Sequence, residues 1–540
     1  MVGIRAALGV VAAVLSWSAV APANAAPNES AGADTLATGR MLYMEGRRGG
    51  GVPLAAKRTG GLTISGAEAA CVNCHRRSGF GGSEGRSYIP PVNAASLFEA
   101  KQPGTGASAS GTGRPAYTDT TLARAIRDGI DPSGRRLDYL MPRYELNDAE
   151  MNSLIAYLRQ LSTQPSPGVE ANVLDFATVV APGVEPGRAK AMVEVLNACF
   201  EEHNAGPLPA RGRKRLGPDV RLGEQRKWKL HVWELEGKPE SWPAQLVEYA
   251  RQKPVFAMVG GMGGGNWGPV HEFCEGDGMP CLFPRVEVPV AGETGFYALY
   301  LSRGILLEAG IVARHLTQQA QGVKRAIQVL RAKDETARAG AEALRRTLAA
   351  RGIETEERRI EAGGRLDART FETTASDALV LWLRAEDLKR LEAVNPASAP
   401  VYLSAMLGGL EQAPLPAAWK ARALMAYPYE LPLNREARMA RMHAWLLARG
   451  LTPVDEPAQA DAYVACSALG AGMNEIADNL HRDYLVERLE VVVGRGGFTG
   501  LYPRLTLGAG QRFSSKTGYL VRFADPDSSR IVPVGERMAP

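Results

Sequence analysis

Apolar residues in the first third of the chain recur at helical spacing in three separated stretches. Residues 35–46, 118–129 and 148–161 place apolar side chains three and four positions apart, which predicts amphipathic helices. Between them, residues 78–113 are rich in Gly, Ser and Pro, a composition typical of irregular structure. This pattern predicts a small all-α domain over residues 30–163.

Beyond residue 173 the pattern changes to short apolar runs that alternate with amphipathic stretches. The apolar runs predict strands at 174–180, 229–234, 255–260, 326–330 and 378–383. The amphipathic stretches predict helices at 185–203, 242–252, 336–351 and 386–394. Repeated strand–helix units with hydrophobic strands imply parallel sheets covered by helices. We therefore expect an α/β domain of two lobes over 173–540, separated from the first domain by a Pro- and Gly-containing linker over 164–172.

The first residues carry the pattern of an export signal. Arg5 precedes an apolar stretch over residues 6–20, and Ala23-Asn24-Ala25 has the form of an A-x-A cleavage site. The sequence therefore predicts a signal peptide over residues 1–25. Because no later stretch is apolar for long enough to cross a bilayer, we expect a periplasmic protein with no membrane span in its mature chain.

Length, composition and charge restrict the class of protein to which the chain can belong. A chain of 540 residues exceeds what one core organises, so a multi-domain protein is expected. Its 45% hydrophobic and 22% charged residues are typical of globular proteins. The formal net charge of +5 is small for this length and no basic run is interleaved with aromatic residues, so we expect no nucleic-acid partner.

The strongest chemical signal is the sequence Cys71-Val72-Asn73-Cys74-His75. C-x-x-C-H is the attachment signature of a c-type haem: two thiols reach the two vinyl groups of one porphyrin, and the adjacent imidazole ligates the iron. A zinc site would need a second pair of ligands, and residues 29–165 contain no other cysteine or histidine. The motif therefore predicts one haem c, attached covalently through Cys71 and Cys74, with His75 as an axial ligand.

The order of opening helix, C-x-x-C-H motif, wrapping loop and closing helix resembles the class I bacterial cytochromes c. Leu140-Met141-Pro142-Arg143-Tyr144 is similar to the methionine-ligand loop of that family, and Leu154–Leu158 is similar to its C-terminal helix. The resemblance implies that Met141 supplies the sixth iron ligand. It also implies that a proline carbonyl downstream of the motif, from Pro90 or Pro91, orients the imidazole.

Elimination among the remaining side chains of the domain also favours Met141. The domain has no second histidine, and Met41, Met44 and Met151 fall on predicted helices, where core packing is expected. Met141 lies instead on a loop before a proline. Because a thioether paired with histidine raises the reduction potential, this ligand set favours electron transfer over oxygen chemistry.

The C-terminal region resembles the type I periplasmic solute-binding proteins, the leucine/isoleucine/valine-binding class attached to ABC transporters. Met279–Pro284 is similar to a Pro-containing turn and strand of that family. The strand at Ala326 with the helix ending near Ile353 is similar to the start of its second lobe. Ala462–Leu469, followed by Tyr484–Leu489, is similar to the helices that return to its first lobe. The resemblance implies a two-lobed domain with a small-molecule ligand in the cleft between the lobes.

The Gly-rich turn over 260–267 is the candidate wall of that cleft. Backbone N–H groups near Gly263 and Asn266 are placed to bind an anion, with Trp267 as an apolar wall. Tyr297 stands where the segment that crosses between the lobes is expected. A flexible turn without a ligand, and core packing for the tyrosine, remain open alternatives, and no acidic partner for an amino-acid ammonium group is evident.

Four cysteines lie in the C-terminal region. Cys274 and Cys281 flank a short helix-to-strand turn and could close a local disulfide. Cys199 and Cys466 would then remain, and the family resemblance maps both to the first lobe. An oxidising compartment favours pairing over free thiols.

Three functions are compatible with these features. The first is one-electron transfer to or from a periplasmic redox partner, a dehydrogenase or a terminal oxidase chain, with the solute-binding-like domain serving for ligand sensing or partner docking. The second is a solute-binding protein of an ABC transporter with an accessory haem domain, and the third is a haem-linked periplasmic oxidoreductase. No Ser/His/Asp grouping or carboxylate pair at helical spacing stands out, so catalysis ranks last.

Overall fold

The chain folds into two compact units, Met1–Thr163 and Gln164–Pro540. The computed structural model describes residues 29–101, 113–206, 226–292, 294–318, 320, 322–361, 363–364, 366–396 and 398–540. The predicted signal peptide over residues 1–25 lies outside these described residues. Among the described helices, none is long and apolar enough to cross a membrane.

The smaller unit packs helices around one apolar core and adds two small antiparallel sheets. Its helices are α1 (Glu29–Glu45), α2 (Val72–His75), α3 (Ala94–Phe98), α4 (Asp119–Asp128) and α5 (Asp148–Gln160). Its strands are β1 (Ala55–Lys57), β2 (Thr63–Ser65), β3 (Gly82–Glu84), β4 (Ser87–Ile89) and β5 (Arg143–Tyr144). Strand β1 pairs with β2 and β5, and β3 pairs with β4. The expectation of an all-α domain is therefore wrong in detail, because strands of two or three residues are too short to show an alternating pattern.

Local hydrogen bonds explain where the helices of the smaller unit begin. Asn147 accepts a hydrogen bond from the Glu150 backbone N–H at 2.9 Å, and the Glu150 carboxylate accepts one from the Asn147 N–H at 3.0 Å. This capping box fixes the start of α5. Helix α1 begins at Glu29, six residues before the predicted start at Thr35.

Helices α1 and α5 approach each other closely because glycine stands at their contact. A Cβ atom on Gly39 would lie 2.7 Å from the Cβ of Tyr157. Tyr43 and Tyr157 pack beside this contact with ring centroids 5.4 Å apart. The opening and closing helices thereby form one side of the apolar core.

The larger unit alternates strands and helices along most of its length. Its strands are β6 (Val173–Val180), β7 (Lys227–Glu234), β8 (Ala257–Val259), β9 (Met262–Gly263), β10 (Cys281–Leu282), β11 (Arg285–Val286), β12 (Ala298–Ser302), β13 (Arg325–Arg331), β14 (Glu354–Ile360), β15 (Asp377–Trp382), β16 (Val401–Ser404), β17 (Ala423–Tyr427), β18 (Phe513–Ser515), β19 (Tyr519–Phe523) and β20 (Ile531–Pro533). Its helices are α6 (Pro186–Asn204), α7 (Trp242–Gln252), α8 (Gly268–Gly276), α9 (Ile305–Gln318), α10 (Glu335–Ala349), α11 (Ala385–Lys389), α12 (Ala405–Gly408), α13 (Ala417–Lys420), α14 (Pro432–Leu447), α15 (Glu456–Ile476) and α16 (Arg482–Gly494).

These strands form two separate sheets. The first has the order β11-β9-β6-β8-β10-β12-β18, with β7 also paired to β6, and all its pairings are parallel. The second has the order β14-β13-β15-β16-β17-β19-β20 and is parallel up to β17. The chain passes between the sheets after β12, after β17 and after β18. Three crossings therefore join two lobes that are each discontinuous in sequence. Residues at the carboxyl ends of strands from both lobes line one cleft.

Two disulfides lie within the larger unit. Cys199 on α6 is bonded to Cys466 on α15, with Cα atoms 6.6 Å apart. Cys274 on α8 is bonded to Cys281 on β10, with Cα atoms 6.1 Å apart. The first bond joins positions 267 residues apart and the second joins positions 7 residues apart. The long bond therefore restricts the unfolded chain far more than the short one.

Removal of the two disulfides should destabilise the larger unit unequally. The chain-entropy model assigns about 5.5 kcal/mol to the Cys199–Cys466 loop and about 2.5 kcal/mol to the Cys274–Cys281 loop. We expect the C199S/C466S variant to lose about twice as much unfolding free energy as the C274S/C281S variant. Tryptophan fluorescence in a denaturant titration measures this in the larger unit alone, since seven of the eight tryptophans lie there and the eighth is Trp17. Equal losses would contradict the loop-length argument.

Candidate functional site

A cavity of about 720 Å³ in the smaller unit gathers the residues of the C-x-x-C-H motif and the predicted methionine. Cys71, Cys74, His75 and Met141 all line it. Apolar side chains from α4 and α5 complete much of the wall, including Leu122, Ile126, Leu154 and Leu158. A volume of this size suits a large and mostly apolar cofactor.

The hydrogen bond between His75 and Pro90 fixes the imidazole in the cavity wall. His75 is 8% exposed, and its Nδ1 lies 3.0 Å from the Pro90 carbonyl oxygen. Burial lowers the pKa of His75, although the contact with Pro90 opposes this shift. The ring is therefore neutral near pH 7, and because Nδ1–H donates to Pro90, the lone pair belongs to Nε2, the nitrogen that binds metals in this tautomer. Of the two prolines suggested by the sequence, Pro90 is the one in contact.

The two motif thiols are not bonded to each other. Cys71 immediately precedes α2 and Cys74 lies within it, and both are free cysteines. Burial raises the pKa of the Cys71 thiol to about 12, and burial also raises the pKa of Cys74. Both sulfurs are therefore protonated thiols near neutral pH, held on one side of the cavity by a single turn of helix.

The loop after the motif returns to the imidazole through two glycines with positive φ. Gly79 has φ 74° and Gly81 has φ 70°. A Cβ atom on Gly81 would lie 2.8 Å from the Pro90 carbonyl oxygen. The β3–β4 hairpin then pairs Gly82 with Ile89 and so brings Pro90 back to His75. The long loop between the motif and this proline is accommodated by that hairpin.

Met141 reaches the cavity from the loop between α4 and β5. Its backbone carbonyl accepts a hydrogen bond from Arg143, and its N–H donates to the Asp138 carbonyl at 3.2 Å. Met41, Met44 and Met151 are not among the residues that line the cavity. Met141 is therefore the methionine of this domain that lines the same cavity as His75, although the two residues lie 66 positions apart in the sequence.

Two basic residues of the cavity wall have no motif in the sequence. Lys101 and Arg114 are joined by an isolated antiparallel bridge, and both line the cavity. Burial and the neighbouring Arg114 lower the pKa of Lys101, and burial lowers the pKa of Arg114. Adjacent cations in an apolar wall suit an anionic group on the occupant. The cavity therefore fits a haem: paired thiols, a neutral imidazole, a thioether, an apolar enclosure and cations for its carboxylates.

A second cavity, of about 800 Å³, lies in the larger unit between the two sheets. Arg285 and Glu287 reach it from the end of β11 in the first sheet. Arg384 follows β15 and Tyr429 follows β17 in the second sheet. Both lobes therefore contribute to the cleft, as the strand order requires.

The turn over 260–267 contributes less to this cleft than the sequence suggested. Gly263 lines it, but Asn266 accepts a hydrogen bond from the Gly268 N–H at 3.0 Å and is not a lining residue. Trp267 is 3% exposed and packs into the core of the first lobe, where its ring lies against Gly263. Tyr297 lies elsewhere, with its hydroxyl bonded to Asp483. Trp267 and Tyr297 are thus core residues in this structure rather than cleft walls.

An ion pair crosses the cleft between the lobes. Arg384 donates to both carboxylate oxygens of Glu287, at 3.0 and 2.8 Å, and to Asp334 at 2.7 Å. Thr336 donates to the same Glu287 carboxylate at 2.7 Å. Burial raises the pKa of Glu287, but the hydrogen bonds and charge of Arg384, together with the hydrogen bond from Thr336, hold the pKa below its usual range. Sequence reasoning missed these residues because they are far apart in the chain and belong to no motif.

Comparison with known proteins gives one match to a family model, in the smaller unit, and a separate set of similar solved structures. Residues 64–162 match the model of the Cytochrome c family. No curated protein matches the chain significantly. The chain is similar in structure to a possible leucine/isoleucine/valine-binding protein from Rhodopirellula baltica SH 1, with 16% identity, coverage of 68% of this chain and 97% of that chain, and a TM-score of 0.45.

Two further solved structures give a comparable result. One is a substrate-binding periplasmic protein from Ralstonia solanacearum, with 14% identity, coverage of 67% of this chain and 100% of that chain, and a TM-score of 0.47. The other is a branched chain amino acid ABC transporter from Thermus thermophilus with bound valine, with 11% identity, coverage of 68% and 97%, and a TM-score of 0.47. Residues 64–162 therefore carry a Cytochrome c domain, which is followed in the same chain by the two-lobed α/β unit.

Proposed function

We propose that this protein is an exported electron carrier that holds one haem c. In this proposal the thiols of Cys71 and Cys74 would hold the haem covalently, and His75 and Met141 would ligate its iron. The observation that carries the proposal is the single cavity that gathers two free thiols, a neutral imidazole and a thioether. A periplasmic dehydrogenase or terminal oxidase chain is the expected redox partner.

A haem held by these residues would supply a one-electron couple, and a thioether ligand paired with an imidazole would raise its reduction potential. The chain's own residues set the conditions for that couple. Pro90 fixes the ring plane and tautomer of His75, and the apolar wall from α4 and α5 excludes water. Lys101 and Arg114 offer cations to the carboxylates of the haem.

We further infer that the larger unit binds a small solute in the cleft between its lobes. The cleft of about 800 Å³, lined from both sheets, carries this second proposal. Solute binding would make the chain a ligand sensor or docking module for electron transfer, and supply of an ABC transporter is the alternative role. Material released from the purified chain on denaturation, identified by mass spectrometry, tests whether the cleft carries a solute.

Covalent attachment is tested by extraction. When the chain is exported by a host that matures c-type cytochromes, we expect its mass to exceed the mature polypeptide by one haem, and its colour to survive acid–acetone extraction. The C71S/C74S variant should lose the haem on extraction, because no other described thiol lines the cavity. A wild-type chain that releases its haem would contradict the proposal.

The role of Met141 is tested by comparison with Met44. Both side chains are partly buried against the same apolar core, but only Met141 lines the cavity. We expect Met141→Ala to lower the reduction potential and to abolish the methionine-to-iron charge-transfer band, because the thioether is removed. Met44→Ala should leave both unchanged and cost only stability. Voltammetry and visible spectroscopy measure the two effects, and an unchanged Met141→Ala spectrum would exclude this ligand.

The orientation of His75 is tested through the glycine loop. Gly81 and Gly85 both have positive φ, but a Cβ at Gly85 would meet nothing within 4 Å. We therefore expect Gly85→Ala to cost about 1 kcal/mol of stability through backbone strain alone. Gly81→Ala should cost about 3 kcal/mol or more and shift the reduction potential, because its Cβ displaces the Pro90 carbonyl. Equal effects of the two substitutions would show that the Pro90 contact does not position the imidazole.

A further inference from the structure

The floor of the cleft holds a buried polar cluster that no sequence motif indicated. Arg285 donates to Asp461 Oδ2 at 2.6 Å, and the Tyr502 hydroxyl lies 3.4 Å from the same oxygen. The Tyr429 and Tyr502 rings pack with centroids 5.4 Å apart. All four residues line the cleft, and Asp461 is only 3% exposed.

One oxygen of this cluster has no hydrogen-bond donor. Asp461 Oδ1 is buried and accepts no hydrogen bond from any described residue. A buried carboxylate oxygen without a donor costs about 1–3 kcal/mol. Because Asp461 lines the cleft, a ligand that donates an N–H or O–H to Oδ1 would recover this cost. Arg285, a neighbour with five N–H donors, is placed to donate to an acceptor on the same ligand.

The remaining charges of the cleft disfavour a charged ligand. Each partly or fully buried charged side chain that lines it is paired within the described residues: Arg285 with Asp461, Arg384 with Glu287 and Asp334, and Arg188 with Asp455. To pair with a buried cation of the cleft, a ligand carboxylate would have to displace one of these internal carboxylates, and the remaining lining cation, Lys333, is exposed to solvent.

Two of the long helices that begin at the cleft, α6 and α10, have N-termini that are occupied by carboxylates. Glu185 accepts hydrogen bonds from the Gly187 and Arg188 N–H groups at the start of α6, at 2.9 and 3.0 Å. Asp334 accepts one from the Ala337 N–H at the start of α10, at 3.0 Å. At these two helices, the N-terminal N–H groups that would otherwise attract an anion already bind carboxylates of the chain itself.

We propose that the cleft selects an uncharged organic ligand bearing a carboxamide or hydroxyl group, which donates to Asp461 Oδ1 and accepts from Arg285. This inference rests on the proposed solute-binding role and names the chemistry of its ligand. A free amino acid is disfavoured, because its carboxylate finds no unpaired buried cation among the described residues.

The test compares probes that share one apolar body and differ in the polar group. Isothermal titration of the full haem-loaded chain uses isovaleramide and isoamyl alcohol as neutral probes, and isovalerate, isoamylammonium and leucine as charged ones. We expect isovaleramide to bind at least tenfold more tightly than isovalerate or leucine. Tighter binding of a charged probe would overturn the ligand class while leaving the cleft as a solute site. No saturable binding by any probe would overturn the solute-binding role as well.

A substitution separates a binding role of Asp461 from a structural one. Asp461→Asn removes the negative charge of the carboxylate and leaves the Arg285 guanidinium without its ion-pair partner. We expect isovaleramide to bind at least tenfold more weakly and isovalerate to bind more tightly, an inversion that general loss of structure cannot produce. Glu240→Gln, the same acid-to-amide change at an exposed residue outside the cleft lining, should leave the order of affinities unchanged. A D461N variant that keeps the wild-type order would overturn the proposal.

Discussion

The contact between His75 and Pro90 is the constraint on which the smaller unit depends. A buried imidazole needs an acceptor for one nitrogen, and the nearest segment of chain must turn back sharply to supply it. Gly81 permits that turn because a side chain at its position would strike the Pro90 carbonyl. Once the ring is fixed, helix α2 also fixes the positions of the two thiols. Met141 then contributes to the wall of the same cavity from the loop before β5. Local backbone geometry thereby sets the chemistry of the cavity.

A different constraint governs the larger unit, where charges are buried in a cleft that two lobes share. A charge removed from water needs a partner, and the chain provides partners from distant segments. The Arg384–Glu287 pair joins the second lobe to the first, and each of the two side chains neutralises the charge of the other. Asp461 has such a partner in Arg285, but its second oxygen is buried and accepts no hydrogen bond from the described residues. That oxygen is what gives the cleft a chemical preference.

The sequence predicted long regular elements well and short ones poorly. The helix expected at 242–252 is present as Trp242–Gln252, and the strand expected at 174–180 is present as Val173–Val180. Both are long enough for their periodicity to be read. The strands of the smaller unit span two or three residues and carry no such pattern. Trp267 was assigned to the cleft from its place beside a Gly-rich turn, but its large apolar ring is more stable in the core.

The sequence by itself determined the groups whose chemistry depends on close spacing. Cys71, Cys74 and His75 share one helical turn, so their relative positions follow from local geometry alone. Met141 was predicted from the resemblance to a known loop and from elimination among the other side chains of the domain. Only the tertiary structure decided the cleft, because Arg285 and Asp461 lie 176 residues apart and meet through the packing of α15 against the first sheet. Spacing along a chain encodes neighbours within a turn of helix, whereas contacts between lobes depend on how many elements pack at once.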